Sequence, residues 1–261
     1  MLNILQITDV HLRSSAGQRL LGVDTDDSLR AVLTQAFAER KPDAVLVTGD
    51  VAHDAQVQTY ERFISILDAF YDGPRLLLPG NHDLWAPMQR FLSEPSVLSL
   101  PGWDLIGLDS HVDDSTGGEV AEPEMLALRE ACAAATDKHI LLATHHPPIT
   151  LDCPWIDAHR IQNGTELLEW LSEHTTVRAM VFGHAHQIVE SVFESRLENR
   201  RIALLGTPST CFQFEPRSVK FTIDDRKPGY RWLFLGSDGG VTSEVHRVAD
   251  YPLKIELPQR R

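Results

Sequence analysis

Cysteine is scarce in this chain, and its placement excludes whole classes of architecture. Only Cys132, Cys153 and Cys211 occur, widely spaced and odd in number. A disulfide framework and a Cys-x-x-Cys zinc site are therefore both excluded, and the pattern fits reduced thiols in a cytoplasm. Long apolar runs are missing too: nothing approaches the roughly 18 consecutive apolar residues that suggest a membrane helix. The start, Met1-Leu2-Asn3-Ile4, enters a strand-like run at once. It lacks the basic region and apolar core of a secretory signal, so none is expected. Positive charge is in deficit: 24 Lys and Arg stand against 37 Asp and Glu, a formal net charge of -13. Tight sequence-independent binding to a nucleic acid duplex depends on Lys and Arg neutralising phosphates, so that partner is not expected. A membrane partner is not expected either. Internal repeats, low-complexity tracts and disordered linkers are absent, so residues 1–261 are expected to form a single domain, long enough to bury a core.

What is present is an alternation of short apolar strands and amphipathic helices. Leu2–Thr8, Ala44–Thr48, Arg75–Leu78, Ile140–Thr144 and Val177–Phe182 read as buried strands. Between the first of these, Leu29, Val32, Leu33, Ala36 and Phe37 recur at helical spacing over Asp26–Arg40, and Phe63, Ile64, Leu67 and Phe70 do so over Tyr60–Phe70. Val97–Leu100 and Trp103–Leu108 look like strands joined at Pro101-Gly102, His111–Glu119 like a loop, and Glu124–Ala135 like a helix. Asn163, with Glu166 three residues on, predicts a capping box at the start of a helix through Leu171. Residues 149–160 have no period and read as a loop or lid. The last third is mostly β: Ile188–Phe193, Ile202–Leu205, Val219–Ile223, Tyr230–Leu235 and Val241–Val245. The tail Tyr251–Pro258 alternates like an edge strand that could pair within the chain or with a second copy. Asp24-Thr25-Asp26-Asp27 reads as a solvated helix start. The alternation predicts layered α/β architecture with helices outside sheets.

The chemistry is concentrated just past strand ends, where open α/β sheets build their sites. Asp9 and His11 follow the first strand, Asp50 the second, and Asn81, His82 and Asp83 the third after a Pro79-Gly80 turn; His145 and His146, then His184 and His186, follow the two later strands. Carboxylate, imidazole and amide oxygen form a mixed N/O donor set without thiolate, which suits Fe, Mn, Zn or Co. Seven donors drawn from these ten residues would exceed the need of one first-row ion and be about right for two ions that share a carboxylate and clamp an in-line displacement at phosphorus. The remaining histidines, His53, His111, His139, His159, His174 and His246, are expected in structural or surface roles, with His53 nearest the mouth.

Asp-x-His, Gly-Asp, Gly-Asn-His-Asp, His-x-Pro and Gly-His-x-His, in that order from Asp9 to His186, resemble the calcineurin-like metallophosphoesterases. The one small departure is Thr8, where many members carry Ser. The resemblance implies a four-layer αββα sandwich of two mixed sheets flanked by helices. It implies two divalent metal ions, Fe or Mn foremost, with Zn or Co as alternatives. By the same resemblance Asp9, His11 and His186 hold the first ion, Asp50 bridges, and Asn81, His145 and His184 hold the second. His82 is then the catalytic histidine that steadies the phosphoryl oxygen and protonates the leaving group. Asp83 orients it, and His146 neighbours the substrate.

Leu20–Thr25 and Gly206–Phe214 resemble, more loosely, the bacterial class III 3′,5′-cyclic AMP phosphodiesterases. That resemblance implies a small-molecule cyclic nucleotide substrate, hydrolysed to 5′-AMP by a metal-bridging hydroxide, in a cytoplasmic monomer or homodimer. A phosphodiesterase of broader range, acting on other cyclic nucleotides or glycerophosphodiesters, is the alternative within enzymes; a metal-binding scaffold for protein interaction is the alternative outside them. Thr207, Ser209 and Thr210 offer hydroxyls to a nucleotide, and Phe212 a ring to a base. The other reading of that stretch is a tight turn holding the second sheet.

Overall fold

A computed structural model describes residues 1–93, 96–135, 137–195 and 200–257. Eleven strands of four or more residues form two mixed sheets. In chain order they are β1 (Leu2–Ile7), β2 (Ala44–Thr48), β3 (Arg75–Leu78), β4 (Val97–Leu100), β5 (Trp103–Gly107) and β6 (His139–Ala143). They continue as β7 (Val177–Phe182), β8 (Val189–Glu194), β9 (Arg201–Gly206), β10 (Gly229–Leu235) and β11 (Val241–Arg247). The first sheet runs β11-β10-β1-β2-β3, with β1, β2 and β3 parallel and the two late strands antiparallel. The second runs β8-β9-β7-β6-β5-β4, parallel from β9 through β5 and antiparallel at both edges.

Alternation along the strands separates three apolar layers. In β1, Leu5 and Ile7 face α1 (Thr25–Glu39) and α2 (Val57–Asp68), where they meet Leu29, Val32, Phe63 and Leu67. Ile4 faces the other way and packs between the sheets with Leu46, Leu78, Leu105, Leu141 and Val181. The outer face of the second sheet buries Ile140, Leu142 and Met180 against Leu128 of α3 (Glu122–Ala134) and Leu167, Leu168 and Leu171 of α4 (Gly164–Ser172). Helices, sheet, sheet and helices thus form the expected four layers. No helix among the described residues is long and apolar enough to cross a membrane. All three cysteines are free and buried.

The two sheets are also tied by polar groups. Gln6 Nε2 donates to Phe182 O (3.4 Å) at the end of β7, and Gln6 Oε1 accepts from Thr207 Oγ1 (2.7 Å) just past β9. Arg231, wholly buried on β10, donates from Nε to Thr207 Oγ1 (3.2 Å) and from Nη2 to Gly206 O (2.9 Å) of β9.

Several local expectations change. Asn163 does not cap α4: its side chain exchanges two hydrogen bonds with the Val120 backbone (3.0 and 2.8 Å), pinning the preceding loop instead. Val219–Ile223 is not a strand, and only Ile223–Asp224 pairs, with Gln213–Phe214. Val219 and Phe221 are 78% and 50% exposed and have no sheet face to cover. The tail does not form an edge strand over 251–257: Tyr251 is buried, and Glu256 N donates to Leu21 O (2.9 Å). Pro258 lies outside the described residues. Asp24 accepts from Asp27 N (3.1 Å) as a helix cap, but Asp26 is buried against Arg62 Nε (2.7 Å) rather than solvated. Residues 149–160 contain a helical turn, Pro154–Asp157, whose Ile156 is buried.

Arg231→Met removes the shared donor and strands the buried oxygens of Gly206 and Thr207 at the end of β9. It is expected to lower unfolding free energy by about 3 kcal/mol in urea melts, the usual cost of breaking one side of a buried polar network.

Candidate metal centre

Five of the chemical residues occupy the left-handed region of backbone space that non-glycine residues avoid: Asp9 (φ 52°), His11 (53°), Asp50 (50°), His184 (60°) and His186 (48°). Each such residue costs on the order of 1–3 kcal/mol and persists only where its surroundings over-determine it. Here the loops brace one another. Asp9 N donates to Gly49 O (3.0 Å), His11 N to Asp50 O (2.9 Å), Gly183 N to His145 O (3.0 Å) and Thr210 N to Thr8 O (3.1 Å). The turns thereby aim their side chains back over the strand ends rather than along the strands.

The side chains converge in two groups around Asp50. In the first, His11 Nε2 and His186 Nε2 lie 3.1 Å apart, Asp9 Oδ1 lies 3.2 Å from His186 Nε2, and Asp50 Oδ2 lies 3.6 Å from His11 Nε2. In the second, Asn81 Oδ1 lies 3.1 Å from His145 Nε2 and 3.0 Å from His184 Nδ1, and those nitrogens are 3.3 Å apart. The same Asp50 Oδ2 is 3.5 Å from His145 Nε2. Two nitrogens that each bind one ion at about 2.0–2.1 Å lie roughly 2.9–3.4 Å apart, so both imidazole pairs have ligand spacing.

Backbone carbonyls fix which nitrogen is offered. His145 Nδ1 donates to Thr48 O (2.8 Å) and His186 Nδ1 to Phe212 O (2.7 Å), since a carbonyl only accepts. Each ring therefore carries its proton outward and turns the Nε2 lone pair to the site, as a ligating imidazole requires. Burial holds His11 and His184 well below the ordinary histidine range. Burial also resists charge on His145, but the facing Asp50 draws it up to about 9. Burial resists ionisation of Asp50, and the His145 imidazole outweighs it, keeping that carboxyl well below its usual range. The donor set is N/O throughout, buried and pointed inward: it fits divalent cations.

Two glycines make the approach possible. A side chain on Gly80 would collide with Asp50 Oδ1, and one on Gly49 (φ 91°) with the His145 ring.

The other expected site residues divide. His82 is exposed, with its backbone N–H on Asp50 Oδ1 (2.8 Å), so its ring stands at the mouth. Asp83 does not orient that ring. Its carboxylate is fully engaged by Val51 N (3.1 Å), Ala52 N (3.0 Å), Gly80 N (2.9 Å) and Tyr60 Oη (3.0 Å), so it clamps two loops together. Burial and the nearby Asp50 raise it to about 6. His146 is wholly buried, with Nδ1 on Ser110 Oγ (2.9 Å) and its ring 4.8 Å from that of His184; His145 is the ring that meets Asp50. Thr207 and Ser209 are likewise buried, their hydroxyls given to Gln6 Oε1 and to Asp9 O (2.7 Å each), and Thr210 is buried beside them. Thr207 and Ser209, with Thr210 N on Thr8 O (3.1 Å), hold the end of β9 against β1 and the Asp9 loop. Phe212 lies flat against His11 (5.8 Å, 15°).

Two histidines expected in bland roles sit against the site. His53 stacks on His82 (4.9 Å, 28°), and His159 lies edge-on to His184 (6.1 Å). The one signal for His53 is its position three residues after Asp50. His139, His174 and His246 are remote, against Arg178, Trp170 and Tyr230.

The profile of the calcineurin-like phosphoesterases matches residues 2–188. The 3′,5′-cyclic adenosine monophosphate phosphodiesterase CpdA of Escherichia coli K12 is 37% identical over 254 residues, 95% of this chain and 90% of that protein. The protein of the same name from Pseudomonas aeruginosa is 33% identical over 258 residues, covering 97% and 92%. A 3′,5′-cyclic-nucleotide phosphodiesterase of Nostoc is 34% identical over 262 residues, covering 98% and 95%. Among solved structures, a dimetal phosphatase from Danio rerio superposes with a TM-score of 0.60 at 15% identity, covering 95% of this chain and 99% of that one. At that identity the likeness is one of fold. With its strand-end blocks converged on Asp50 and the family profile spanning most of the chain, the protein belongs to the calcineurin-like phosphoesterase family.

Proposed function

We propose that this protein is a dinuclear-metal phosphodiesterase that hydrolyses 3′,5′-cyclic AMP to 5′-AMP, acting as one domain over residues 1–261. The observation that carries the reading is the Asp50 carboxylate standing between two N/O groups, within 3.6 Å of His11 Nε2 and 3.5 Å of His145 Nε2. The named activity of relatives at 33–37% identity over nearly the whole chain supports the substrate. Asp9, His11, His186 and Asp50 would hold one ion, and Asp50, Asn81, His145 and His184 the other. Fe and Mn are the first candidates, with Zn and Co also suited to these donors. Two such ions supply Lewis-acid stabilisation of the phosphate oxygens and a hydroxide nucleophile near neutral pH.

The chain's own part is orientation and proton transfer. Asp50 anchors the His82 backbone, so the His82 ring is fixed relative to both groups. From the mouth it stabilises the phosphoryl oxygen and delivers a proton to the departing 3′ oxygen. A cyclic phosphodiester carries one negative charge, which two cations hold without a basic pocket, in keeping with the chain's net charge of -13. The buried free thiols agree with a cytoplasmic setting.

Hydrolysis by protein loaded separately with Mn and Fe tests the assignment against cyclic GMP, 2′,3′-cyclic AMP, glycerophosphodiesters and a phosphomonoester. The highest kcat/KM is expected for 3′,5′-cyclic AMP, with 5′-AMP as product. Hydrolysis of the other diesters with little of 3′,5′-cyclic AMP would move the reading to the broader-range enzyme. Activity on none of them would favour a scaffold.

His82→Ala is expected to retain both metals by elemental analysis while losing on the order of 10²–10⁴-fold in kcat, the usual worth of a general acid. Asp50→Ala should lose metal as well as turnover; full metal content in that variant would contradict the shared-ligand role.

Gly80→Ala forces Asp50 out of place through a single added methyl group. Metal content and activity are both expected to fall at least tenfold while circular dichroism stays that of the wild type.

A further inference from the structure

The rim of the site carries a cluster of rings that the metal-binding blocks do not use. His186 stacks on Phe214 at 4.1 Å and 22°. Phe214 meets Trp155 (4.7 Å, 83°) and Phe221 (5.5 Å, 66°) edge to face, and Trp155 meets Phe221 at 5.4 Å and 75°. On its other side Trp155 lies 6.2 Å from His159, which lies 6.1 Å from His184. An arc of rings thus joins His186 of one donor group to His184 of the other, with Trp155 at its crown.

Burial grades outward along this arc. Phe214 is 9% exposed and is covered by His186; Phe221 is 50% exposed. Phe212, the ring that sequence pointed to, is only 5% exposed and faces His11. The open ring surface therefore belongs to Phe221 and, in part, to Trp155, which is half-buried. Trp155 is fixed from beneath by a small core containing Cys153, Ile156, Cys211 and Phe214, and Phe221 leans on it through its ring contacts with Trp155 and Phe214. Asp157 also ties the Trp155 turn through Leu151 N (2.7 Å) and Cys153 N (3.1 Å). The Trp155 side of the platform is held in place before a ligand arrives, which lowers the ordering cost of binding.

We propose that Trp155 and Phe221 form the stacking platform for the nucleobase of the cyclic nucleotide whose phosphate sits at the donor groups. The inference rests on the cyclic nucleotide reading above and deepens it. Two features favour a planar base over a protein partner. The rings are continuous with the imidazoles of both donor groups, so whatever occupies them is within two ring contacts of His186 and His184. The surface they offer is also a corner of mutually perpendicular rings rather than a broad flat patch. Such a corner takes one base face on one ring and a base edge against the next. Recognition by ring faces reads planarity and area more than the pattern of hydrogen-bonding groups, so purine cyclic nucleotides should be preferred to pyrimidine ones, with modest separation of adenine from guanine. Residues 149–160 are thereby a wall of the substrate site.

The test compares 3′,5′-cyclic AMP with its abasic analogue, 1-O-methylribose 3′,5′-cyclic phosphate, in wild type, Phe221→Leu and Trp155→Leu. Calorimetric binding of 5′-AMP and of ribose 5-phosphate to the same proteins runs alongside. Leu keeps apolar bulk and removes the flat ring; Phe221→Trp is the restoring variant. In wild type the base is expected to improve kcat/KM and product affinity by on the order of tenfold or more. Both Leu variants should lose most of that advantage through KM, and Phe221→Trp should keep it. An equal loss for both members of each pair, in variants that melt like wild type, would overturn the platform. If wild type hydrolyses neither cyclic phosphate, the phosphodiesterase reading fails by itself. The calorimetry then still decides the platform, since 5′-AMP binding no tighter than ribose 5-phosphate would refute it.

Discussion

One carboxylate, Asp50, has to stand in reach of two clusters of imidazole nitrogen, and much of the structure around it is explained by that demand. Its Oδ2 faces His11 and His145 at 3.6 and 3.5 Å while its Oδ1 takes the His82 amide. Holding an ionised, buried carboxylate in this position needs opposing partners in place and the loops in an unfavourable backbone region. Asp83 supplies the local clamp by taking the amides of Val51, Ala52 and Gly80, two from the turn after β2 and one from the turn after β3. Gly80 leaves the gap that Asp50 fills.

The fold supplies the rest. Two sheets packed face to face bring the carboxyl ends of β1, β2 and β3 against those of β6 and β7, so donors from residue 9 to residue 186 meet in one place. Their relative height is set by buried polar ties between the sheets, Gln6 to Phe182 and Thr207, and Arg231 to Thr207 and Gly206. Ser209, bonded to Asp9 O, extends that tie to the first metal loop. The stretch Gly206–Phe214 therefore serves the site from behind: it positions Asp9 and, through Phe212 O, fixes the His186 tautomer.

The strands and long helices were legible because burial on both faces leaves apolar runs, and a helix on one face leaves a period. The side chains that converge on Asp50 were legible because each sits at the end of such a run. What escaped notice depends on where short polar side chains turn. Asn163 has the sequence context of a cap and spends its amide on Val120 instead. Asp83 follows His82 directly yet points away from it, into four donors supplied by two loops and α2. Thr207, Ser209 and Thr210 look like ligand hydroxyls until the second sheet buries them. His53 could not be told from a surface histidine, because its neighbour His82 is 29 residues away in sequence and a ring contact away in space.

The most direct test of the shared-carboxylate account is anomalous diffraction from crystals of protein loaded with Mn. The account predicts two peaks, one among Asp9, His11 and His186 and the other among Asn81, His145 and His184, both within ligand distance of Asp50 and roughly 3.5–4 Å apart. A single peak in fully active crystals, or two peaks neither of which touches Asp50, would contradict it.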